Sequence, residues 1–408
     1  MVNPENFRPL QGVRVIEFGD GLGSYAGRLL ADSGAEVIKV EPPQGAASRS
    51  AGPFVGGAAD PEQSLQFWHA NASKQSIALD LHDPQDVATA RALVASADVV
   101  LDGLAPGALQ ALGLGQAALR AAHSKLIVCA ITPFGQDGPW ANYTSSDLVQ
   151  LAAGGLLSVC GYDGGDGPDT PVAPTGGQAA HIAGMTAMMA ILAALIEVQA
   201  SGEGQFIDVS AQASIAVSLE MGVPFWAYQQ REVIRHTARH AMPAESPRWQ
   251  HRCADGKYFL ALPLYIDDAR FAALVEWFDA EGLAEDLTDP SYQLMSGRAH
   301  RMGHIIEVIG RFCAKHDAAT MFRESQARRL PWAPVNSPDE ILADPHFSEA
   351  RHTFADVADP ATGQQYRFAK LPYLIGHADT TTMPPRLDQH GARLRGELQQ
   401  NQKVQHAQ

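Results

Sequence analysis

A chain of 408 residues, 46% of them hydrophobic, exceeds what one core usually fills, so two globular domains are expected. The 30 basic and 45 acidic residues leave a formal net charge of −15 with no run of five or six like charges, which excludes nucleic acid and anionic membrane as expected partners. Four cysteines, Cys129, Cys160, Cys253 and Cys313, lie far apart without a C-x-x-C pair; that spacing excludes a disulfide frame or thiolate metal site and predicts reduced thiols.

The polar start, Met1 to Pro9, carries no apolar signal core, so a cytoplasmic protein is expected. Val13 to Phe18 is a β-branched run ending in Gly19-Asp-Gly-Leu-Gly. Tyr25 to Ser33 then has helical spacing, and Ala35 to Glu41 reads as a second strand stopped by Pro42 and Pro43. The unit recurs, with helices over 85–96 and 117–123 and strands over 98–101 and 126–131. Helices alternating with continuous apolar strands predict a parallel sheet covered on both faces, an α/β, Rossmann-like fold. Gly19, Gly21 and Gly23 lack the G-x-G-x-x-G spacing, and their pattern predicts a tight turn, not a dinucleotide site.

Thr170 to Gly184 follows a glycine-rich loop, Gly161 to Asp169, and leads into an apolar helix over 185–198. The apolar run from Ala183 to Val198 is shorter than the roughly 20 residues a bilayer needs, so it reads as a buried core helix with Met185, Met188 and Met189 in the core. Small residues at a helix start bring free N–H groups and the positive end of the dipole together, which suits a carboxylate or oxyanion. Between Asp169 and Glu197 there is no Asp, Glu, Lys, Arg or Cys; Gln178 and His181 are the strongly functional side chains left. His181 serves either as a base or oxyanion donor, or as a half-buried imidazole satisfied by a backbone carbonyl. Gln178 either orients a ligand carboxylate or caps the helix, and Gly176 and Gly177 contribute backbone freedom.

A strand over 205–210 and an apolar helix over 212–226 follow. Gln229 to Arg252 reads as a linker whose His236, Arg239, His240, Arg248, His251 and Arg252 meet either substrate carboxylates or a partner subunit. A strand from Asp255 and helices over 269–278 and 302–316 form a smaller α+β domain. Pro331 to Ser337 is strand-like, 339–343 is a short helix, and the polar tail after Pro384 is expected to fray. The domains expected are 1–228 (large, first part), 229–330 (linker and small) and 331–408 (return to the large domain and tail).

Gly12 to Phe18, Gly34 to Pro43, Asn71 to Leu81, Gly138-Pro-Trp, Asp147-Leu-Val, Gly202-Glu-Gly-Gln, Ile207-Asp-Val-Ser and Pro334-Val-Asn-Ser stand in a characteristic order and spacing. In these the chain resembles the family III CoA-transferases, from Leu10 to about Ile375. The resemblance implies a Rossmann-like large domain built from both ends of the chain, a small inserted domain, and two subunits threaded like linked rings. It also implies a coenzyme A thioester as substrate, with no permanently bound cofactor or metal. In that family one Asp attacks the acyl-CoA thioester, forms a mixed anhydride and then an enzyme–CoA thioester, and passes CoA to an acceptor carboxylate.

Matching the family's Ile-Leu-Ala-Ala-Leu to Ile191–Leu195 places that Asp on Ala180. The His-Asp pair of the family's racemase branch falls on Ser146 and Asp147, and its acidic partner on Ala179 or Ala180. The resemblance assigns CoA contacts to Asn71, Lys74, Phe134 and Gly135, with Ala105 where an Arg is common; Lys74 either meets a phosphate or is a solvated surface residue. The function so implied is a transferase subunit without its own nucleophile, paired with a homologous Asp-bearing chain, as in two-chain members acting on succinyl-CoA and benzylsuccinate. The alternatives are a CoA-thioester isomerase, racemase or lyase using His181 or Asp147, and a non-catalytic homodimer.

Overall fold

Val15 and Ile16 are adjacent in sequence, fully buried, and belong to different cores, because successive strand residues point to opposite faces of a sheet. The computed structural model describes residues 8–163, 170–219, 221–264, 266–373 and 381–406. Gly164 to Asp169, most of the glycine-rich loop, lie outside the described residues. Strands β1 (Arg14–Gly19), β2 (Glu36–Glu41), β3 (Gln75–Ala78), β4 (Val99–Gly103), β5 (Ile127–Thr132) and β6 (Phe206–Ser210) form one sheet in the order β3-β2-β1-β4-β5-β6. All its pairings are parallel.

Helices α1 (Ser24–Asp32), α2 (Leu65–Asn71), α3 (Pro84–Val94), α4 (Gln116–Ala122), α5 (Asp147–Ala153), α6 (Gln178–Ser201) and α7 (Ala211–Val217) accompany these strands. Val15, Val37, Leu101 and Cys129 pack with Leu30 of α1 and Ala183, Ala187 and Ile191 of α6 on one face. Ile16, Ile38, Val100 and Val128 pack with Leu93 of α3 and Leu119 of α4 on the other. The mixed α/β architecture with a parallel sheet is the one expected from the alternating pattern.

Two compact units divide the chain: Met1–Ser158 with Val172–Glu220 and Pro345–Gln408, and Val159–Pro171 with Met221–Asp344. The second unit holds a three-stranded antiparallel sheet, β7 (Gln250–Arg252), β8 (Tyr258–Leu260) and β9 (Ala333–Pro334), and helices α8 (Asp268–Ala280), α9 (Met302–Cys313) and α10 (Ala318–Ala327). Its core includes Phe259, Phe271, Leu274, Phe278, Ile309, Phe312 and Trp332. The stretch from Pro331, expected to return to the large domain, instead supplies β9 to the edge of β8. The apolar helix expected over 212–226 is two helices, α7 and Gly222–Gln229. Pro224 explains the break, since proline is tolerated in a first turn and not in a helix interior.

Helix α6 starts at Gln178, so Ala180 and His181 sit in its first turn and not in a loop. At 24 residues it is long and apolar enough to cross a bilayer, yet its Ala183, Ala187, Ile191 and Ala194 side is committed to the unit's core. The opposite stripe is open: Met185 is 48% exposed, Met189 65% and Ile196 70%. The expectation that Met185 and Met189 are core is therefore corrected; only Met188 packs against the cluster.

The tail is also not frayed. After the hairpin of β10 (Phe354–Ala358) and β11 (Gln365–Ala369), helix α11 (Gly391–His406) buries Leu394 completely against the β3 side of the sheet. Strand β3 is an edge strand whose open backbone groups need partners. His390 N–H donates to Ser76 O at 3.0 Å, Asp388 Oδ1 accepts from Ala78 N–H at 2.8 Å, and Arg395 Nη2 donates to Ala78 O at 2.6 Å.

Candidate functional site

In an open parallel sheet the strand order reverses direction at one point, and the crevice beyond the carboxyl ends there is where ligands bind. Here that point lies between β1 and β4. Gly19 and Gly103 end the two strands side by side, and a Cβ on Gly19 would sit 2.6 Å from the Gly103 carbonyl carbon. Glycine at a φ of +88° is required by that approach, which is the tight turn predicted for this segment.

A cleft of ≈ 540 Å³ opens at this point, between the loops after β1, β4 and β5 and the start of α6. That volume is within the range of small-molecule sites. Ala180 and Gly177 line it, together with Asp20, Ala105, Asp147 and Gln150. A second hollow of ≈ 550 Å³ adjoins it across Asp20 and Leu104 and is lined by Glu41, Pro42, Pro43, Asp80 and His82 at the ends of β2 and β3. The ionisable groups facing these two hollows are mostly acidic.

The start of α6 is shaped by Gly176 and Gly177, both left-handed, with φ of +91° and +68°. Gly177 offers no side-chain cap; Asp147 does that work from the first turn of α5, its Oδ1 accepting from Ala179 N–H at 2.9 Å. Gln178, expected to cap or to orient a ligand, instead donates from Nε2 to Thr175 O at 2.9 Å. Ser146 caps α5, accepting from Val149 N–H at 3.3 Å. At position 180 the cleft wall is thus a methyl group on the first turn of a long helix, with one carboxylate nearby that already holds a backbone N–H.

His181 points away from the cleft. Its Nδ1 donates to Gly177 O at 2.8 Å, and its Nε2 faces His69 Nε2 at 2.8 Å. A carbonyl can only accept, so His181 carries its proton on Nδ1 and its Nε2 lone pair receives the Nε2–H of His69. Tyr25 sits against both rings, with centroids 4.4 Å from His181 and 5.6 Å from His69. The backbone-satisfied reading of His181 fits this geometry. Its partner His69, 112 residues earlier, left no signal in the local sequence.

Asn71 and Lys74 turn inward. Both are buried, at 0% and 3% exposure, and line neither hollow at the switch point. Lys74 Nζ donates to Glu17 Oε2 at 2.6 Å, Asn71 Oδ1 at 2.9 Å and Ser24 O at 2.7 Å. Lys39 Nζ donates to Glu17 Oε1 at 2.8 Å and lies 3.6 Å from Asp20. Two cations and two carboxylates balance in an interior where a lone charge would be costly. Burial pushes the Lys74 ammonium down to about 8, with Glu17 opposing and Lys39 reinforcing the shift. Lys74, expected either to meet a phosphate or to be a solvated surface residue, is instead taken up by this internal network.

Phe134 and Gly135 lie behind the cleft rim. Gly135 N–H donates to Thr132 Oγ1 at 3.1 Å, and Phe134 packs edge-on against Trp140 and Tyr143. Ala105, exposed at the rim, leaves that position without a cation. In the second unit, Arg239 grips Asp163 through both Nη atoms at 3.0 and 2.7 Å, and Arg248 Nε joins at 3.2 Å. His236 is buried. These members of the linker cluster are therefore committed within their own unit. Among the described residues no group of His, Cys, Asp and Glu has metal-holding geometry.

The chain matches the family CoA-transferase family III over residues 10–391. It is 32% identical over 405 residues to a succinate–glutarate CoA-transferase of Agrobacterium fabrum, covering 97% of each chain. It is 29% identical over 389 residues to the succinyl-CoA:(R)-benzylsuccinate CoA-transferase subunit BbsE of Thauera aromatica, covering 92% of this chain and 91% of that one. Among solved structures, a CAIB/BAIF family protein from Brucella suis superposes with a TM-score of 0.80 at 28% identity, covering 96% of this chain and 99% of that one.

Proposed function

We propose, from the premise that this chain belongs to CoA-transferase family III, that it is the subunit without a nucleophile in a two-chain transferase. A homologous partner supplies the Asp. The observation that carries this reading is Ala180 in the cleft wall on the first turn of α6. A methyl group cannot attack a thioester or hold CoA as an activated intermediate. The nearby carboxylate of Asp147 is engaged by Ala179 N–H. A base reading centred on His181 gains no support, since its free lone pair is taken by His69.

The name of the BbsE relative, which makes that protein a subunit, supports a two-chain assembly. The relatives' names also supply the substrates proposed here, an acyl-CoA such as succinyl-CoA and a carboxylic acid such as benzylsuccinate. The open stripe of Met185, Met189 and Ile196 on α6 suits an apolar partner surface. The cytoplasm, where such thioesters are handled, is the proposed location.

The test is activity with and without the partner. The purified chain, given succinyl-CoA and candidate acids, transfers no CoA, and hydroxylamine traps no acyl-enzyme. Co-expression with an Asp-bearing homologue yields a complex of both chains that carries activity. If the rings are linked, mixing the two after separate folding yields little. Robust turnover by the lone chain sinks the proposal.

A further inference from the structure

The cleft beside Ala180 carries the wrong groups for a guest with a second carboxylate. Its walls include Leu22, Leu104, Pro106, Ile131, Pro133 and Tyr143. Behind Tyr143, Phe134 and Trp140 complete an aromatic trio with ring centroids 5.8 to 6.3 Å apart. The charged side chains in the lining are Asp20 and Asp147, and no Lys, Arg or His is among the described lining residues. A dicarboxylic acyl group would bring its distal carboxylate against Asp147 and against Asp20, whose charge is already matched by Lys39 behind it, with no cation in the lining to meet the new one.

Gln150 adds an independent observation. It lines the cleft, is 1% exposed, and donates from Nε2 to Ser145 Oγ. Ser145 in turn donates to Ser146 O at 3.4 Å, which leaves its oxygen to accept from Gln150, and the amide is assigned accordingly. Gln150 Oε1 is left buried with no partner. An unpaired acceptor favours a guest with a hydroxyl or amide N–H and opposes a second carboxylate at the distal end, since a carboxylate only accepts.

We propose that this cleft is a binding site for an apolar acyl group with a single carboxyl carbon, presented as a CoA thioester or as the free acid and held without turnover. The CoA form rests on the reading that the thioester end reaches Ala180; the apolar selectivity rests on the lining alone.

The experiment titrates the full chain, in the assembly in which it purifies, with two non-hydrolysable CoA thioethers of equal length, one ending in phenyl and one in carboxylate. CoA, 3-phenylpropionate and succinate serve as separate arms. The expected result is at least tenfold tighter binding of the phenyl thioether, or of 3-phenylpropionate over succinate where the free acid is the guest. Selectivity among the free acids with no binding of CoA or either thioether keeps the apolar site and removes the CoA reading. Equal affinities, a preference for the carboxylate, or no binding in any arm overturns the proposal. Tyr143→Arg, at a rim position 59% exposed and so compatible with folding, is expected to lower the phenyl-over-carboxylate ratio tenfold or more. An unchanged ratio in a variant with the parent's melting midpoint also overturns it.

Discussion

His69 and His181 meet through their Nε2 atoms at 2.8 Å, and the Gly177 carbonyl, by taking the Nδ1–H of His181, assigns the shared proton to His69. A further proton reaches His69 only at Nδ1, where it makes a cation in the field of Arg28. Loss of water around the covered ring edge, then Arg28, then His181, push His69 from 6.5 down to about 4. The unfolded chain therefore takes up this proton first. Stability from the neutral pair is fully present above pH 6.5 and is lost as pH falls from 6.5 toward about 4. His69 is an exposed residue overall, so solvent screening reduces the effect. His69→Gln keeps an N–H donor and cannot titrate. Urea midpoints at pH 7 and pH 5 are expected to differ less in the variant than in the parent chain, and equal differences would show that the pair is not linked to folding.

The strands of the large sheet were legible because a strand buried on both faces needs an apolar run; β4 and β5 have a continuous one, and in β1 and β2 a single charged residue, Glu17 or Lys39, interrupts it. The candidate site stood out in the sequence only as an anomaly, a stretch with no carboxylate where the resemblance asks for one. Lys74 was not, because a lone Lys gives no sign that its partner Glu17 lies 57 residues away. The tail misled for a related reason: its residues are polar because they pair with the backbone edge of β3, and a composition rule reads polarity as solvent.

Lys74→Ala is expected to destabilise the fold by roughly 3–5 kcal/mol, since it leaves two carboxylates, the buried Glu17 and the half-buried Asp20, to share Lys39 alone and leaves Asn71 Oδ1 without its donor. A solvated Lys would change stability by no more than about 0.5 kcal/mol. Urea denaturation separates the two. Gly27→Ala is a companion test without charge removal, because its Cβ would sit 2.0 Å from Glu17 Oε2 and displace the same carboxylate.

Leu394→Ala is expected to cost roughly 2–5 kcal/mol as a fully buried aliphatic truncation. Removal of residues 386–408 has a different signature. It leaves Ser76 O and the backbone groups of Ala78 on β3 without partners and exposes a sheet edge, so concentration-dependent light scattering is expected in addition to a lower melting midpoint. A truncated chain that stays monodisperse would show that α11 packs without protecting the edge.

Ala180→Asp tests whether a carboxylate at this position can be acylated. The new carboxylate lies on the first turn of α6, where the helix dipole favours it by about 0.3–1 kcal/mol. Opposing that is Asp147, whose carboxylate sits at Ala179 N–H. Repulsion between neighbouring like charges, about 4 kcal/mol at 4 Å with an effective dielectric near 20, exceeds the dipole term, so the single variant is expected to be held partly protonated. 3-Phenylpropionyl-CoA should therefore acylate Ala180→Asp slowly, giving a product trapped by hydroxylamine that neither the parent chain nor Ala180→Asn yields. Replacing Asp147 by Asn removes the repulsion and keeps an acceptor for Ala179 N–H, so the double variant is expected to trap faster than the single one. Trapping in both variants at equal rates would mean that Asp147 does not sense position 180. No trapping in either, with fold intact by circular dichroism, would mean that the thioester does not reach the start of α6 in this chain, and the assignment of this cleft to the acyl end would have to be given up.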